Sequence, residues 1–81
     1  MHQPAAPELR PGWVYEVVVA VLAATNEPLR PRDIIQLAAR LHGDPIAPSS
    51  VRNCLRMVSA RNDGAIERVA YGTYRLRSIR L

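Results

Sequence analysis

The polar side chains between residues 48 and 60 are those whose types and spacing best suit a chemical role. This stretch reads Pro-Ser-Ser-Val-Arg-Asn-Cys-Leu-Arg-Met-Val-Ser-Ala. Wound as a helix at about 100° per residue, it collects small residues, two guanidinium groups and one amide on a single face. Guanidinium and amide groups bind phosphate oxygens and pair with base edges in a major groove. The face consists of Ser49, Arg52, Asn53, Arg56 and Ala60.

The other face of the same predicted helix is apolar. It carries Val51, Cys54, Leu55 and Val58, which we expect to pack against the rest of the chain. One packed face and one face of arginine and asparagine are typical of a helix that binds a nucleic acid. An ordinary amphipathic helix with a solvated polar face fits the stretch equally well, so this stretch alone does not separate the two.

The composition favours a small folded domain with a polyanionic partner. The chain has 81 residues, 48% of them hydrophobic and 22% charged, which fits one domain with a packed core. Its net charge is +4, and all eleven basic residues are arginine. A basic balance of this kind attracts nucleic acids, although it identifies neither a site nor a specificity.

The sequence offers little for catalysis or metal binding. His2 and His42 lie in a terminal arm and in a turn, and Cys54 is the single cysteine. There is neither a metal-ligand cluster nor a glycine-rich phosphate loop, so we expect no enzyme activity, no cofactor and no bound metal. A lone cysteine forms no intramolecular disulfide, and the N-terminal residues contain no apolar run of signal-peptide length. We therefore expect a cytoplasmic location without a membrane segment.

An apolar run at residues 13–25 is the first element that must support the polar helix. Its valine content favours a strand, but its length without a turn signal favours a helix, which we predict. The expected core stripe is Val14, Val17, Val18, Val21 and Leu22. The opposite side is more apolar than a solvated helix requires, so it either covers an N-terminal arm or meets a second copy in a homodimer. This surplus consists of Trp13, Val19, Ala20 and Ala24.

A second helix is predicted at residues 31–41, where apolar residues recur at helical spacing. Proline suits its first position, and Gly43 suits a left-handed cap after its last turn. Residues 29–30 precede it as a possible short strand. Ile46, in the link to the third helix, is expected to fill the space between the two helices.

A β-hairpin is predicted between residues 65 and 77. Its sequence leaves two registers open. One sets Glu67 opposite Arg75, and a tighter turn sets Val69 opposite Tyr74. A slip between them would turn side chains to the wrong face of the sheet.

The turn that precedes the hairpin is Arg61-Asn62-Asp63-Gly64. Its Asp-Gly pair favours a backbone with positive φ. We therefore predict a left-handed conformation in this turn.

The order of helix, short strand, helix, helix and hairpin resembles the winged helix-turn-helix superfamily over residues 13–77. The resemblance rests on the stretches at residues 28–35, 49–55 and 66–76, and the closing Gly-Thr-Tyr-Arg-Leu is similar to the wing of many bacterial regulators. It implies an α+β, mainly α fold in which three helices precede a two-stranded hairpin wing.

The resemblance also implies a function, that of a double-stranded DNA-binding protein and transcriptional regulator. The third helix, residues 48–60, would lie in the major groove, with the wing against the flanking backbone. The wing turn at residues 70–72 has no basic residue, so we do not expect it to insert into the minor groove. The residues expected at base edges are Arg52, Asn53 and Arg56, and those expected at the backbone are Ser49, Ser50, Arg68, Tyr71, Arg75 and Arg77.

A protein–protein interaction module of a larger assembly is the alternative function, because the fold alone does not determine the function. Such a module would dock through the apolar first helix or the hairpin edge. Charge placement separates the two, since a docking module need not collect Arg52, Arg56 and the wing arginines on one side. In either case we expect a flexible arm at residues 1–12, one domain at residues 13–77 and a short tail at residues 78–81.

Overall fold

The computed structural model describes residues 12–69 and 72–77. The fold is α+β and mainly α, with three helices followed by a two-stranded antiparallel hairpin, a layout compatible with a winged helix. The predictions for the N-terminal arm, for Tyr71 in the wing turn and for the tail at residues 78–81 lie outside the described residues, except that the arm's last residue, Gly12, is described. The elements are α1 (Trp13–Ala24), α2 (Pro31–His42), α3 (Pro48–Ser59), β1 (Ile66–Val69) and β2 (Thr73–Leu76).

Helix α1 forms despite its valine content because it buries a stripe at helical spacing. Val18, Val21 and Leu22 are all buried, and tertiary packing of such a stripe outweighs the weak helix propensity of β-branched residues. The predicted helix is therefore confirmed. No helix in the described part of the chain has the length and apolar character needed to cross a membrane.

The apolar surplus of α1 is smaller than the sequence indicates. Trp13 stacks on the His42 ring at the end of α2, with 4.5 Å between the ring centroids. Val19 is partly buried and packs against the core. Only Ala20 and Ala24 of the four surplus residues are exposed. Trp13 and Val19 are thus partly buried against the core, which leaves Ala20 and Ala24 as the exposed part of the surplus, and what this part faces stays a prediction.

Helix α2 begins and ends at the predicted signals. Pro31 occupies the first position, where its fixed φ suits the helix and its missing N–H removes no intrahelical hydrogen bond. Gly43 follows the last turn with a φ of 93°, and its amide donates to the Ala39 carbonyl oxygen at 2.9 Å. A side chain at this position would be strained, so glycine fixes where the helix stops.

Helix α3 has the two predicted faces. Val51 and Leu55 are buried, Cys54 and Val58 are partly buried, and the residues of the polar face are exposed. Ile46 in the preceding link is also buried in the core, as predicted. The core therefore holds α3 by its apolar side and leaves the arginine-bearing side to solvent.

The hairpin adopts the first of the two predicted registers, with Glu67 opposite Arg75 and Ile66 opposite Leu76. In this register Ile66 lies on the core face, where it is completely buried. Leu29 forms an isolated bridge with Tyr74 through amide-to-carbonyl hydrogen bonds of 2.9 and 2.8 Å. The short strand predicted before α2 is therefore a single bridge, which ties the hairpin to the helices.

The Asp-Gly turn differs from the prediction. Gly64 does not have the positive φ that Gly12, Gly43 and Gly72 adopt. A Cβ placed on Gly64 would lie 2.6 Å from the Val58 carbonyl oxygen. Glycine is required here because the turn passes close to the backbone at the end of α3.

One core connects all the helices with the hairpin, and α3 supplies two of its members. Because the domain is small, its stability margin is modest and few core contacts are dispensable. The buried residues are Val18, Val21, Leu22, Ile34, Ala38, Ile46, Val51, Leu55 and Ile66.

We expect Leu55→Ala to lower the free energy of unfolding by about 2–5 kcal/mol, since Leu55 is 1% exposed and its truncation leaves a cavity. Met57→Ala is the matched control on the same helix, because Met57 is 56% exposed. Its effect should remain within about 0.5 kcal/mol. Denaturant unfolding followed by circular dichroism measures both, and equal midpoints for the two variants would contradict the assignment of the faces.

Candidate nucleic-acid interface

The exposed face of α3 brings together the polar residues that the sequence singles out on this helix. Ser49, Ser50, Arg52, Asn53 and Arg56 are all exposed. The face contains no acidic side chain, since α3 carries none. A surface of hydroxyl, amide and guanidinium groups without a competing carboxylate attracts anions.

The N-terminus of α3 is not capped by its own side chains. Ala47 occupies the cap position and forms no side-chain hydrogen bond to the helix. Its carbonyl oxygen accepts from the Ser50 amide at 3.0 Å and from the Val51 amide at 3.4 Å. The exposed hydroxyls of Ser49 and Ser50 lie beside the positive end of the helix dipole, where an anion is stabilised.

Arg56 and Asn53 are joined to each other in the middle of the face. Nη2 of Arg56 donates to Oδ1 of Asn53 at 2.6 Å. Nδ2 of Asn53 donates in turn to Sδ of Met57 at 3.6 Å. The two contacts give the Asn53 amide a defined orientation, with its oxygen toward Arg56 and its nitrogen toward Met57.

Arg52 differs from Arg56, because no side-chain hydrogen bond or ion pair holds its guanidinium group within the described part of the chain. It is exposed on the same face, one turn nearer the N-terminus. All its donors are therefore available to a partner.

The wing arginines are not grouped as the sequence indicates. Opposite residues of an antiparallel pair share a face of the sheet, so Arg75 lies with Glu67 on the outer face, while Arg68 and Tyr74 lie on the face that carries Ile66. Arg68 is exposed and has no ion pair among the described residues. The hairpin thus presents its arginines in two directions.

Arg77 is engaged within the fold. Its Nε donates to the Gly64 carbonyl oxygen at 2.8 Å, and its Nη2 donates to the Arg61 carbonyl oxygen at 3.2 Å. Its Nη1 lies 3.5 Å from Oε1 of Glu67, whose Oε2 also accepts from Nε of Arg75 at 2.7 Å. Arg77 therefore fastens the turn after α3 to the hairpin, and Arg75 is partly neutralised.

Two exposed arginines at the start of α2 add positive charge beyond that of the predicted residues. Arg30 directly follows the residue that bridges to Tyr74, and Arg32 lies in the first turn of α2. Neither has an ion pair within residues 12–69 and 72–77. Both arginines lie next to Pro31, the first residue of α2, and the N-terminus of a helix favours anions. This position is the signal in the sequence that could have identified them.

A cavity beside α1, the end of α3 and the hairpin offers no comparable chemistry. It has a volume of about 730 Å³, and Tyr15, Val19, Val58 and Leu76 contribute to its apolar walls. Among the described residues, no three His, Cys, Asp or Glu side chains are grouped to hold a metal ion. Burial raises the pKa of the Cys54 thiol, which disfavours its thiolate.

Comparison with protein-family models, with curated proteins and with solved structures finds no match for this chain. The proposals below therefore depend on the contacts, burial and charges just described.

We expect Arg77→Ala to lower the free energy of unfolding by about 1–2 kcal/mol, because two carbonyl oxygens and Glu67 lose a charged donor. Arg68→Ala is the matched control, since it removes the same charge from an exposed site on the same hairpin, and should change stability by less than about 0.5 kcal/mol. Thermal and urea unfolding of the two variants measure the difference. An Arg77→Ala protein as stable as Arg68→Ala would show that these contacts contribute nothing.

Proposed function

We propose that this chain is a double-stranded DNA-binding protein of the winged-helix type that acts as a transcriptional regulator, with α3 in the major groove. The observation that carries the proposal is the exposed face of α3, which has serine hydroxyls and no carboxylate. On this face Arg56 is bound to the Asn53 amide, and Arg52 has no side-chain partner among the described residues. The opposite side of α3 is fixed by two buried residues, Val51 and Leu55. A rigid helix with such a face suits direct readout of base edges.

The dimensions of α3 fit a major groove. Its 12 residues span about 18 Å, and the groove of B-DNA, about 12 Å wide, admits one α-helix. Ser49 and Ser50 at the helix start hold a backbone phosphate in this arrangement. Arg52, Asn53 and Arg56 face the bases, as successive positions on one side of the helix.

The hairpin supplies backbone contacts of unequal strength. Arg68 has no ion pair within residues 12–69 and 72–77, and Arg75 is 52% exposed while bound to Glu67. Arg68 is therefore the stronger phosphate ligand of the two. We do not assign Arg77 to the interface, because its guanidinium group donates to carbonyl oxygens within the fold. Tyr71, which lies outside the described residues, stays a predicted backbone contact.

The interaction-module function has one supporting observation, an apolar groove between α1 and α2. Ala20, Ala24, Leu37 and Leu41 line it, and Leu41 is 58% exposed. Docking through this groove leaves the arginine-bearing face of α3 without a role. DNA binding uses that face, and it is therefore the function we favour.

The test is a fluorescence titration of the full chain with labelled duplex DNA at two salt concentrations. Affinity should fall steeply as salt rises, because arginine contacts release counterions from the phosphates. Arg68→Ala should weaken binding to all duplexes and reduce the slope of log affinity against log salt by about 1, whereas Arg56→Ala should cost about 1–3 kcal/mol at a preferred site.

Arg40→Ala is the control for net charge, since Arg40 lies at the apolar groove on α2 and away from the reading face. It should bind like the parent apart from a small uniform loss. If the parent chain shows no salt-sensitive binding to any duplex, the interaction-module function replaces the proposal.

A homodimer through α1 stays a prediction, with the groove as its contact surface. A two-fold dimer would read two half-sites and cover Ala20, Ala24 and Leu41. Leu41→Glu is a sharper probe than a change at Val19, because Leu41 is exposed and Val19 packs against the core. Sedimentation at micromolar concentration should show a dimer for the parent and a monomer for Leu41→Glu. If the parent and Leu41→Glu both sediment as monomers of 9.0 kDa, the dimer is excluded.

A further inference from the structure

We propose that Met57 is a base-reading residue of α3 that contacts the 5-methyl group of thymine. The inference rests on the proposed function and adds an apolar contact to its polar ones. It follows from an exposed apolar side chain that does not belong to the core and lies beside the polar residues of the reading face.

Met57 is the exposed large hydrophobic residue of α3. Its side chain is 56% exposed, whereas the residues of the apolar face of the same helix are buried or half-buried. Met57 belongs neither to the core nor to the apolar residues that pack against it. The fold therefore leaves this side chain available to a partner.

Met57 lies at the border of the polar face, next to Asn53. At about 100° per residue it is about 40° beyond Asn53 around the helix axis and about 100° from Arg56. Nη2 of Arg56 donates to Oδ1 of Asn53 at 2.6 Å, and Nδ2 of Asn53 donates to Sδ of Met57 at 3.6 Å. The three side chains thus form one row across the face, and Met57 is its apolar end.

The surroundings of Met57 suit the edge of a base better than a protein partner. Met57 lines a groove between α1 and α3, in which Tyr15 is 37% exposed. Exposed polar side chains, those of Ser50, Asn53 and Arg61, line the same groove. Protein-docking surfaces are contiguous apolar patches. A major groove instead combines hydrogen-bonding groups with isolated methyl groups, which matches a single apolar side chain among polar ones.

Thymine is the base that displays a methyl group in the major groove, and apolar side chains contact this methyl. Methionine has a flexible, polarisable side chain that adapts to an apolar neighbour. Its sulfur is only a weak acceptor, so Met57 has little to offer to the hydrogen-bonding groups of a base. The removal of one methyl group from such a contact corresponds to a loss of about 4-fold in affinity.

The experiment first selects duplexes from a randomised library with the full chain, which supplies a preferred site. Each thymine of that site is then replaced in turn by deoxyuridine, which lacks the 5-methyl group and keeps every hydrogen-bonding group. Titration of the parent should show an affinity loss of about 4-fold at one thymine per bound chain. Replacement of the other thymines should have little effect.

Three variants assign the methyl contact to its side chain. Met57→Gln keeps the length of the side chain and makes it polar, so it should bind the thymine and deoxyuridine duplexes equally. Met57→Leu stays apolar and should keep the difference. Leu41→Gln is the matched control, because Leu41 is 58% exposed and lies in the groove between α1 and α2. It should keep the parent's ratio of affinities, and circular dichroism verifies that each variant is folded.

The outcomes separate the inference from the proposed function. Salt-sensitive binding with equal affinity for the two duplexes at every thymine overturns the inference and leaves DNA binding intact. A deoxyuridine loss that persists in Met57→Gln does the same, because another residue then contacts the methyl. Absence of salt-sensitive binding to any duplex overturns both, and the groove beside Met57 is then left to a protein partner.

Discussion

The burial of Val51 and Leu55 under α3 is the contact on which the candidate interface depends. Both side chains are almost completely buried, and they fix the rotation of the helix about its axis. Because successive residues turn by about 100°, fixing these two positions also fixes where Arg52 and Arg56 point. A loss of this packing would change the direction of the polar face without removing any of its polar groups.

A second constraint is the tie between the hairpin and the helices. The bridge between Leu29 and Tyr74 and the contacts of Arg77 with the turn after α3 both cross from one part of the fold to the other. Arg77 carries a charge that, from the composition alone, we would expect to contact a partner. The net charge of +4 therefore overstates how strongly the hairpin attracts anions. More of the chain's attraction for anions comes from α3 and from the start of α2.

The sequence predicts the helices well because their signals are local. Apolar spacing locates α1, α2 and α3, and Gly43 and Pro31 mark helix ends through their own backbone preferences. The hairpin register and the roles of its arginines are different, since both depend on residues distant in the chain. Arg75 and Arg77 look alike in the sequence, yet Arg77 alone reaches carbonyl oxygens 13 and 16 positions away. Likewise, the close approach of Gly64 to Val58 exists only once α3 and the hairpin are packed.

Specificity sets the final requirement on the proposed function. One arginine–guanine pair discriminates by about 1–3 kcal/mol, whereas a regulator must find its site among about 10⁶ or more competing sequences. The α3 face supplies Arg56 and Asn53, which are joined to each other, and Arg52, whose side chain is unrestrained. A single chain would therefore bind DNA mainly through the phosphates. A second copy held in a fixed relation would double the contacted bases and multiply the discrimination. The exposed groove at Leu41 lies on α1 and α2, and no α3 residue lines it, so assembly there would leave the polar face of α3 uncovered in each copy.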